Sequence, residues 1–209
     1  MKHPVLHPGL NLGPHHGEAH DHAETLAFGF WVFLMSDLII FGLMFATYIT
    51  MATPMGMAGG PGPKDAFDLT SIFAQTMILL FSSLSFGLAS LALRHEQGRR
   101  KISAWLLVTL VLGLLFLTLE LRDFAQMFAS GAVPQRSGFL SAFFGLVPLH
   151  GLHVAAGCLW IVIMLVQMRL FGLAPVIKTR LVRLGLFWHF LDLVWIGIFS
   201  IVYLGGLTL

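Results

Sequence analysis

Ile102-Ser-Ala-Trp-Leu-Leu-Val-Thr-Leu-Val-Leu-Gly-Leu-Leu-Phe-Leu-Thr-Leu-Glu-Leu121 decides the fold. One side chain in this run, Glu120, is charged. An α-helix needs about 20 apolar residues to cross the hydrocarbon core of a bilayer. In hydrocarbon every backbone polar group must find its partner within the protein, and a helix does so within one segment. The run therefore reads as a transmembrane helix. Working outward, four more stretches qualify: Leu26–Thr50, Leu69–Leu93, Phe139–Met168 and Leu184–Leu204. No alternating ten-residue pattern of a membrane β-barrel is present. The reading is all-α: a polytopic membrane bundle of five transmembrane helices spanning 26–209, preceded by a His-rich cytoplasmic tail, 1–25, that is expected to be disordered. The connections 51–68, 94–101, 122–138 and 169–183 are too short to hold a folded domain. The first apolar run is too long for a signal-peptide core, so the first helix is expected to be retained.

Composition excludes the other classes. Of 209 residues, 57% are hydrophobic and 11% charged, whereas a soluble domain carries roughly 25% charged residues. That argues against a soluble enzyme, a secreted disulfide scaffold or a disordered chain. The lone cysteine, Cys158, lies inside an apolar run and can form neither an internal disulfide nor a cysteine metal site. The net charge of +2 comes from cations scattered over the connections, so no stripe for nucleic acid forms.

Those cations set the direction of insertion. With the N-terminus inside, the inner segments hold Lys2, Arg94, Arg99, Arg100, Lys101, Arg169, Lys178, Arg180 and Arg183. The outer segments hold Lys64, Arg122 and Arg136. Nine against three places the N-terminus in the cytoplasm and the C-terminus outside. The segment Met55-Gly-Met-Ala-Gly-Gly-Pro-Gly-Pro63 reads as a non-helical outer loop. Asp65 or Asp68 is expected to cap the second helix.

Helix association in lipid relies on small residues that let backbones approach. Gly42 and Ala46 on the first helix, Ser83, Gly87 and Ser90 on the second, and Gly151 and Ala155 on the fourth are expected to mark interfaces. Pro148 removes one backbone hydrogen bond from the fourth helix. Trp31, Trp105 and Tyr203 stand near helix ends, where aromatic residues anchor to the membrane interface. Trp188 and Trp195, seven apart, flank Asp192 and read as packed core or partner face.

Asp37, Glu120 and Asp192 fall inside the spans, together with His150, His153 and His189. An ionised carboxylate at the bilayer centre costs roughly 3 kcal/mol on insertion scales, so each must be protonated, paired or wet. His150 and His153 stand i,i+3 on one helix, and His189 and Asp192 repeat the spacing on another. Three readings fit the set: polar hydrogen bonds that hold helices in register, a lipid-headgroup or proton route, and haem or metal ligation. Bis-histidine haem requires ligands facing each other from different helices, which two histidines on one helix cannot supply. No catalytic, cofactor-binding or metal residue is therefore assigned. His3, His7, His15, His16, His20 and His22 crowd the tail and form a weak Zn, Cu or Ni tract or a solvated arm without metal.

Three blocks carry a family resemblance. Phe28-Gly-Phe-Trp-Val-Phe-Leu-Met-Ser-Asp37 resembles the opening helix of subunit III in the haem–copper oxidases. Arg136-Ser-Gly-Phe-Leu-Ser-Ala-Phe-Phe144, followed by His150-Gly-Leu-His153, is similar to that family's fourth-helix region. Phe187-Trp-His-Phe-Leu-Asp-Leu-Val-Trp195, with Tyr203 beyond it, resembles its last helix. The run Ala58-Gly-Gly-Pro-Gly-Pro-Lys-Asp65 and the His-rich leader point to the quinol-oxidising, bo-type branch. The pair Pro148-Leu149 before His150 departs from the family pattern. The resemblance implies a non-catalytic accessory subunit of a proton-pumping ubiquinol oxidase that reduces dioxygen to water in a bacterial inner membrane. It implies haem and copper in partner subunit I and none in this chain. It further implies association with subunits I, II and IV, and phospholipid bound between helices. Asp37, Glu120, the pair His150 and His153, and the pair His189 and Asp192 then match the family's intramembrane polar residues. A menaquinol or cytochrome c oxidase is the near alternative. A standalone proton-coupled transporter, motivated by the buried carboxylates, is the distant one.

Overall fold

The computed structural model describes residues 16–60, 62 and 69–206, with side chains from Glu24 onward. The histidines of the tail, Lys64 and the proposed caps Asp65 and Asp68 lie outside the described side chains. Five long helices are present, and the described residues contain no strand. They are α1 (His16–Met51), α2 (Leu69–Arg94), α3 (Arg99–Ala129), α4 (Gly138–Phe171) and α5, an α-helix over Pro175–Ile198 that continues as a π-helix over Phe199–Leu204. All five are long and apolar enough to span a membrane. Each overruns its apolar stretch: α1 begins at His16, α3 runs to Ala129, and α5 starts at Pro175 instead of Leu184. Hydropathy marks only the part of a helix that sits in hydrocarbon, and the hydrogen-bonded backbone continues past it.

The expected loop after α1 is partly helical. Pro54–Met57 form one helical turn, with proline at the first position, where its missing N–H costs nothing. Thr53 caps it, its hydroxyl accepting from the Gly56 N–H at 3.2 Å. Ala58 ends the turn in a left-handed conformation, φ 47°.

Helix order follows from connection length. The α2–α3 turn closes within a few residues through Gln97 N–H to Ala92 O at 3.0 Å, with Gly98 at φ 92°. These helices are antiparallel neighbours and share the most extensive contact in the molecule. α4 packs on α3 and α5, and α5 also meets α2. α1 leans on α4 and α5. The core lies around α4 and α5, and its largest fully buried side chains include Trp188, Trp195, Tyr48 and Phe116.

Of the small residues expected to mark interfaces on α1 and α2, Ser83 does so, bonding His189 on α5, while Gly42, Ala46 and Gly87 do not. Gly42 and Gly87 would meet nothing within 4 Å if given a Cβ, and Ala46 is exposed. Gly42 and Ala46 therefore face away from the bundle. The close approaches fall on Gly113 and Gly157. A Cβ on either would stand 2.9 Å from the ring of Trp188. Tyr203 differs from the expected anchor: it is buried beside Trp195 and Phe143 and turns its ring into the bundle. Trp31 and Trp105 are exposed. Trp188 and Trp195 are core residues.

One end of the bundle is locked by cations. Arg99 Nη1 donates to the carbonyls of Met168 and Arg169 at 3.2 and 3.4 Å. It thereby serves acceptors that the end of α4 leaves open. Lys178 Nζ reaches Glu96 Oε1 at 3.2 Å, and Arg180 Nη1 donates to Gln167 Oε1 at 2.9 Å. At the other end Tyr48 Oη donates to the Val202 carbonyl at 3.1 Å, joining α1 to the π-helical end of α5.

Overpacking a tight core typically costs about 1–3 kcal/mol. Gly157→Leu is therefore expected to lower the thermal unfolding midpoint in detergent, because it drives a side chain into Trp188. Gly42→Leu, facing open space, should leave the midpoint unchanged.

Candidate functional site: buried polar centres between helices

The six polar residues singled out from sequence separate into two centres. The first joins α1, α3, α4 and α5. His150 and His153, one turn apart on α4, point to different neighbours. His153 faces α1, where its Nε2 lies 3.7 Å from Asp37 Oδ2. Its Nδ1 makes a 2.8 Å hydrogen bond with the Leu149 carbonyl, so Nδ1 carries the proton and Nε2 faces the carboxyl group. His150 turns inward and is fully buried. Its ring stacks on Trp195 at 5.2 Å and 30°, and Phe116 and Phe41 meet it edge-on at 6.0 and 6.4 Å. Neither ring nitrogen of His150 has a hydrogen-bond partner. Phe41 touches both histidines, with a 5.3 Å centroid distance to His153.

Glu120 enters this centre from α3. Its carboxyl group lies flat against Gly151: a Cβ there would stand 2.5 Å from Oε2 and 2.9 Å from Oε1. Here the fourth-helix glycine marks an interface as expected, and what it admits is a carboxyl group, not a helix backbone. Glu120 is buried, and its Oε1 has no hydrogen-bond partner.

The second centre lies between α2 and α5. Ser83 Oγ and His189 Nδ1 are 2.8 Å apart, and His189 Nδ1 is 3.8 Å from Asp192 Oδ2. Serine, histidine and aspartate meet here, but the hydroxyl and the carboxyl group address the same ring nitrogen. No base is aimed through the histidine at the serine, so the relay of a hydrolase triad is absent.

Sequence reading missed a third cluster. Asp123 Oδ2 accepts from Ser71 Oγ at 2.7 Å and from Gln75 Nε2 at 2.6 Å. The signal was present: Asp123 stands three residues after Glu120. Ending the span at Leu121 placed Asp123 in a loop, although the helix continues through it. Three more bonds pin α2 to its neighbours. Trp188 Nε1 donates to Ser82 Oγ at 2.9 Å, and Trp195 Nε1 to Thr76 Oγ1 at 3.1 Å. Ser85 Oγ and Thr109 Oγ1 lie 2.7 Å apart.

His150 and His153 do not fit haem or metal. His150 is enclosed by three aromatic rings, which leave no face for a macrocycle, and both nitrogens of His153 already face Leu149 and Asp37. Among the described residues no three histidine, cysteine or carboxylate side chains converge on one point. What the arrangement does chemically is join helices: each centre brings polar groups of different helices together at an interface, away from hydrocarbon.

The fold and these centres define a polytopic helical membrane protein whose intramembrane polar residues tie its own helices together. The sequence profile of the family described as cytochrome c oxidase subunit III matches residues 10–207, and the chain belongs to that family. It is similar to the cytochrome bo(3) ubiquinol oxidase subunit 3 of Pseudomonas aeruginosa, 45% identical over 195 residues, covering 93% of this chain and 92% of the relative. The protein of the same description in Pseudomonas putida is 45% identical over 187 residues, covering 90% and 89%. That of Buchnera aphidicola subsp. Baizongia pistaciae is 42% identical over 180 residues, covering 86% and 91%.

Coupling across the first centre is measurable. A thermodynamic cycle of Asp37→Ala and His153→Ala should return a coupling of about 0.6 kcal/mol, and no more than about 1.7, the range found for intramembrane hydrogen bonds. The readout is thermal unfolding of the detergent-solubilised protein.

Proposed function

We propose that this chain is the non-catalytic third subunit of a proton-pumping terminal oxidase that takes electrons from ubiquinol and reduces dioxygen to water. The observation that carries the reading is 45% identity, over nearly the whole of both chains, to a relative named as ubiquinol oxidase subunit 3. The geometry agrees with a supporting role. The buried histidines and carboxyl groups lie at helix contacts, and among the described residues no three histidine, cysteine or carboxylate side chains converge on one point. Electron transfer and oxygen chemistry then belong to the haem and copper of subunit I. This chain contributes a rigid bundle beside it, in company with subunits II and IV.

In this reading the chain lies in the bacterial inner membrane with its N-terminus and His-rich arm in the cytoplasm. The balance of cations supports that direction: Arg99, Lys178 and Arg180 gather at the end where α2, α3, α4 and α5 turn. Arg100, Lys101 and Arg169 are exposed at the same end and suit phospholipid headgroups. The largely exposed apolar faces of α1 suit acyl chains. Asp37, Glu120, His150, His153, His189 and Asp192 hold the bundle in register.

The test is purification through a C-terminal tag from membranes in mild detergent. Polypeptide masses, the reduced-minus-oxidised spectrum, bound lipid and ubiquinol oxidase activity are recorded on the same sample. Haem bands, a large partner polypeptide and quinol turnover are expected. A colourless single chain, obtained also in native lipid, would overturn the reading. Asp37→Ala should leave the haem spectrum of the assembled complex unchanged, while subunit retention or sustained turnover falls. Loss of the haem signal from a fully assembled complex would contradict a structural role.

A further inference from the structure

His189 is unlike every other polar side chain in the bundle. Its side chain is 47% exposed. Among the described residues it is the one exposed titratable group more than two helical turns inside its span. Along α5 it lies six residues beyond Arg183. Its partner Ser83 lies eleven residues before Arg94 on α2. At 1.5 Å per residue these are depths of roughly 9 and 16 Å below the last cation on each helix. The imidazole is therefore in the hydrocarbon layer, below lipid headgroups, where acyl chains offer it nothing and exposure is costly.

We propose that the outer face of α5 around His189 is the surface on which a transmembrane helix of another oxidase subunit packs, with a hydrogen bond between that helix and His189 Nε2. The surroundings of the ring define the partner's chemistry. Ser83 and the buried Asp192 carboxyl group both address Nδ1. Nε2 has no hydrogen-bond partner among the described residues and is the nitrogen left for a neighbour. The partner helix must present a hydrogen-bonding side chain there that can pair with an imidazole nitrogen: a hydroxyl or an amide.

The shape around the ring suits a helix. Val182, Leu186, His189, Leu193 and Ile196 are the exposed residues of this face, spaced four, three, four and three apart. This is the a/d seam along which helices interlock, and one polar residue in such a seam sets register and partner choice. His189 also lines a groove of about 420 Å³ between α2, α3 and α5, together with Phe86, Leu93, Arg94, Leu106 and Leu186. It gives apolar side chains of an incoming helix a place to enter. Nδ1 is used within the chain, against Ser83 on α2, and the bundle closes on the other faces of α5, so only Nε2 is left to pair outside it.

The inference rests on the chain being an oxidase subunit, and one preparation separates the two claims. A photo-crosslinking amino acid is placed at position 186 or 193 in the otherwise native complex, and adducts are identified by mass after irradiation in membranes. An adduct with a transmembrane peptide of another oxidase subunit is expected. His189→Leu should reduce retention of this chain on the haem-bearing complex about three- to tenfold, the equivalent of one intramembrane hydrogen bond. His189→Gln, which keeps a hydrogen-bonding group, should restore most of it. Adducts with lipid or quinone alone, or with a second copy of this chain, on a complex whose haem spectrum is intact would overturn the surface and leave the functional reading standing. So would unchanged retention of the leucine variant. A native chain that never co-purifies with haem would overturn both.

Discussion

The indole of Trp188 is the contact on which the bundle turns. Its N–H donates to Ser82 on α2, its ring edge fits over Gly113 on α3 and Gly157 on α4, and its backbone belongs to α5. Phe86 on α2 stacks along it at 6.5 Å and 16°. Four of the five helices meet at this side chain. Lipid cannot press helices together as water does, so close packing and satisfied polar atoms must supply the association. A large ring seated on two glycines, with its one polar atom bonded across an interface, meets both requirements.

The polar residues follow from the same constraint. In hydrocarbon an unpaired polar atom has no solvent to turn to, so polar side chains gather where helices meet. Ser82, Ser85, Thr76 and Thr109 make short bonds between neighbours, and Asp123 collects Ser71 and Gln75. Where direct partners run short, aromatic rings enclose the group instead, as around His150. The bundle is held in register at several depths along its axis, from Arg99 at one end to Tyr48 and Val202 at the other. His189 fits the same logic turned outward, a polar group whose pairing is completed by a neighbour.

How far the site could be read from sequence varied residue by residue. Asp37, Glu120, His150 and His189 were visible because a charged or titratable residue in an apolar run is conspicuous. Asp123 was not, because a hydropathy window ends where charge begins while the helix goes on. That Trp188 and Trp195 belong to the core was also legible, since both sit deep in the last span. Their hydroxyl partners on α2 were not, because a serine or threonine in a membrane helix can as easily bond its own backbone, as Ser36 and Thr47 do here.

Sequence alone determined the class of the molecule: five apolar runs of spanning length leave helices in a membrane as the only backbone that satisfies itself. The motif blocks likewise carried the family. What required tertiary structure was the direction of each side chain. Helix rotation and tilt are set by packing against neighbours, and one-dimensional periodicity does not record them. That is why Gly42 and Ala46, an interface pair by spacing, face outward, while Gly113 and Gly157 receive Trp188. It is also why His150 and His153, which spacing puts on one face, turn to different helices. A helix face is broad enough for two neighbours, and only the packed bundle determines which residue meets which.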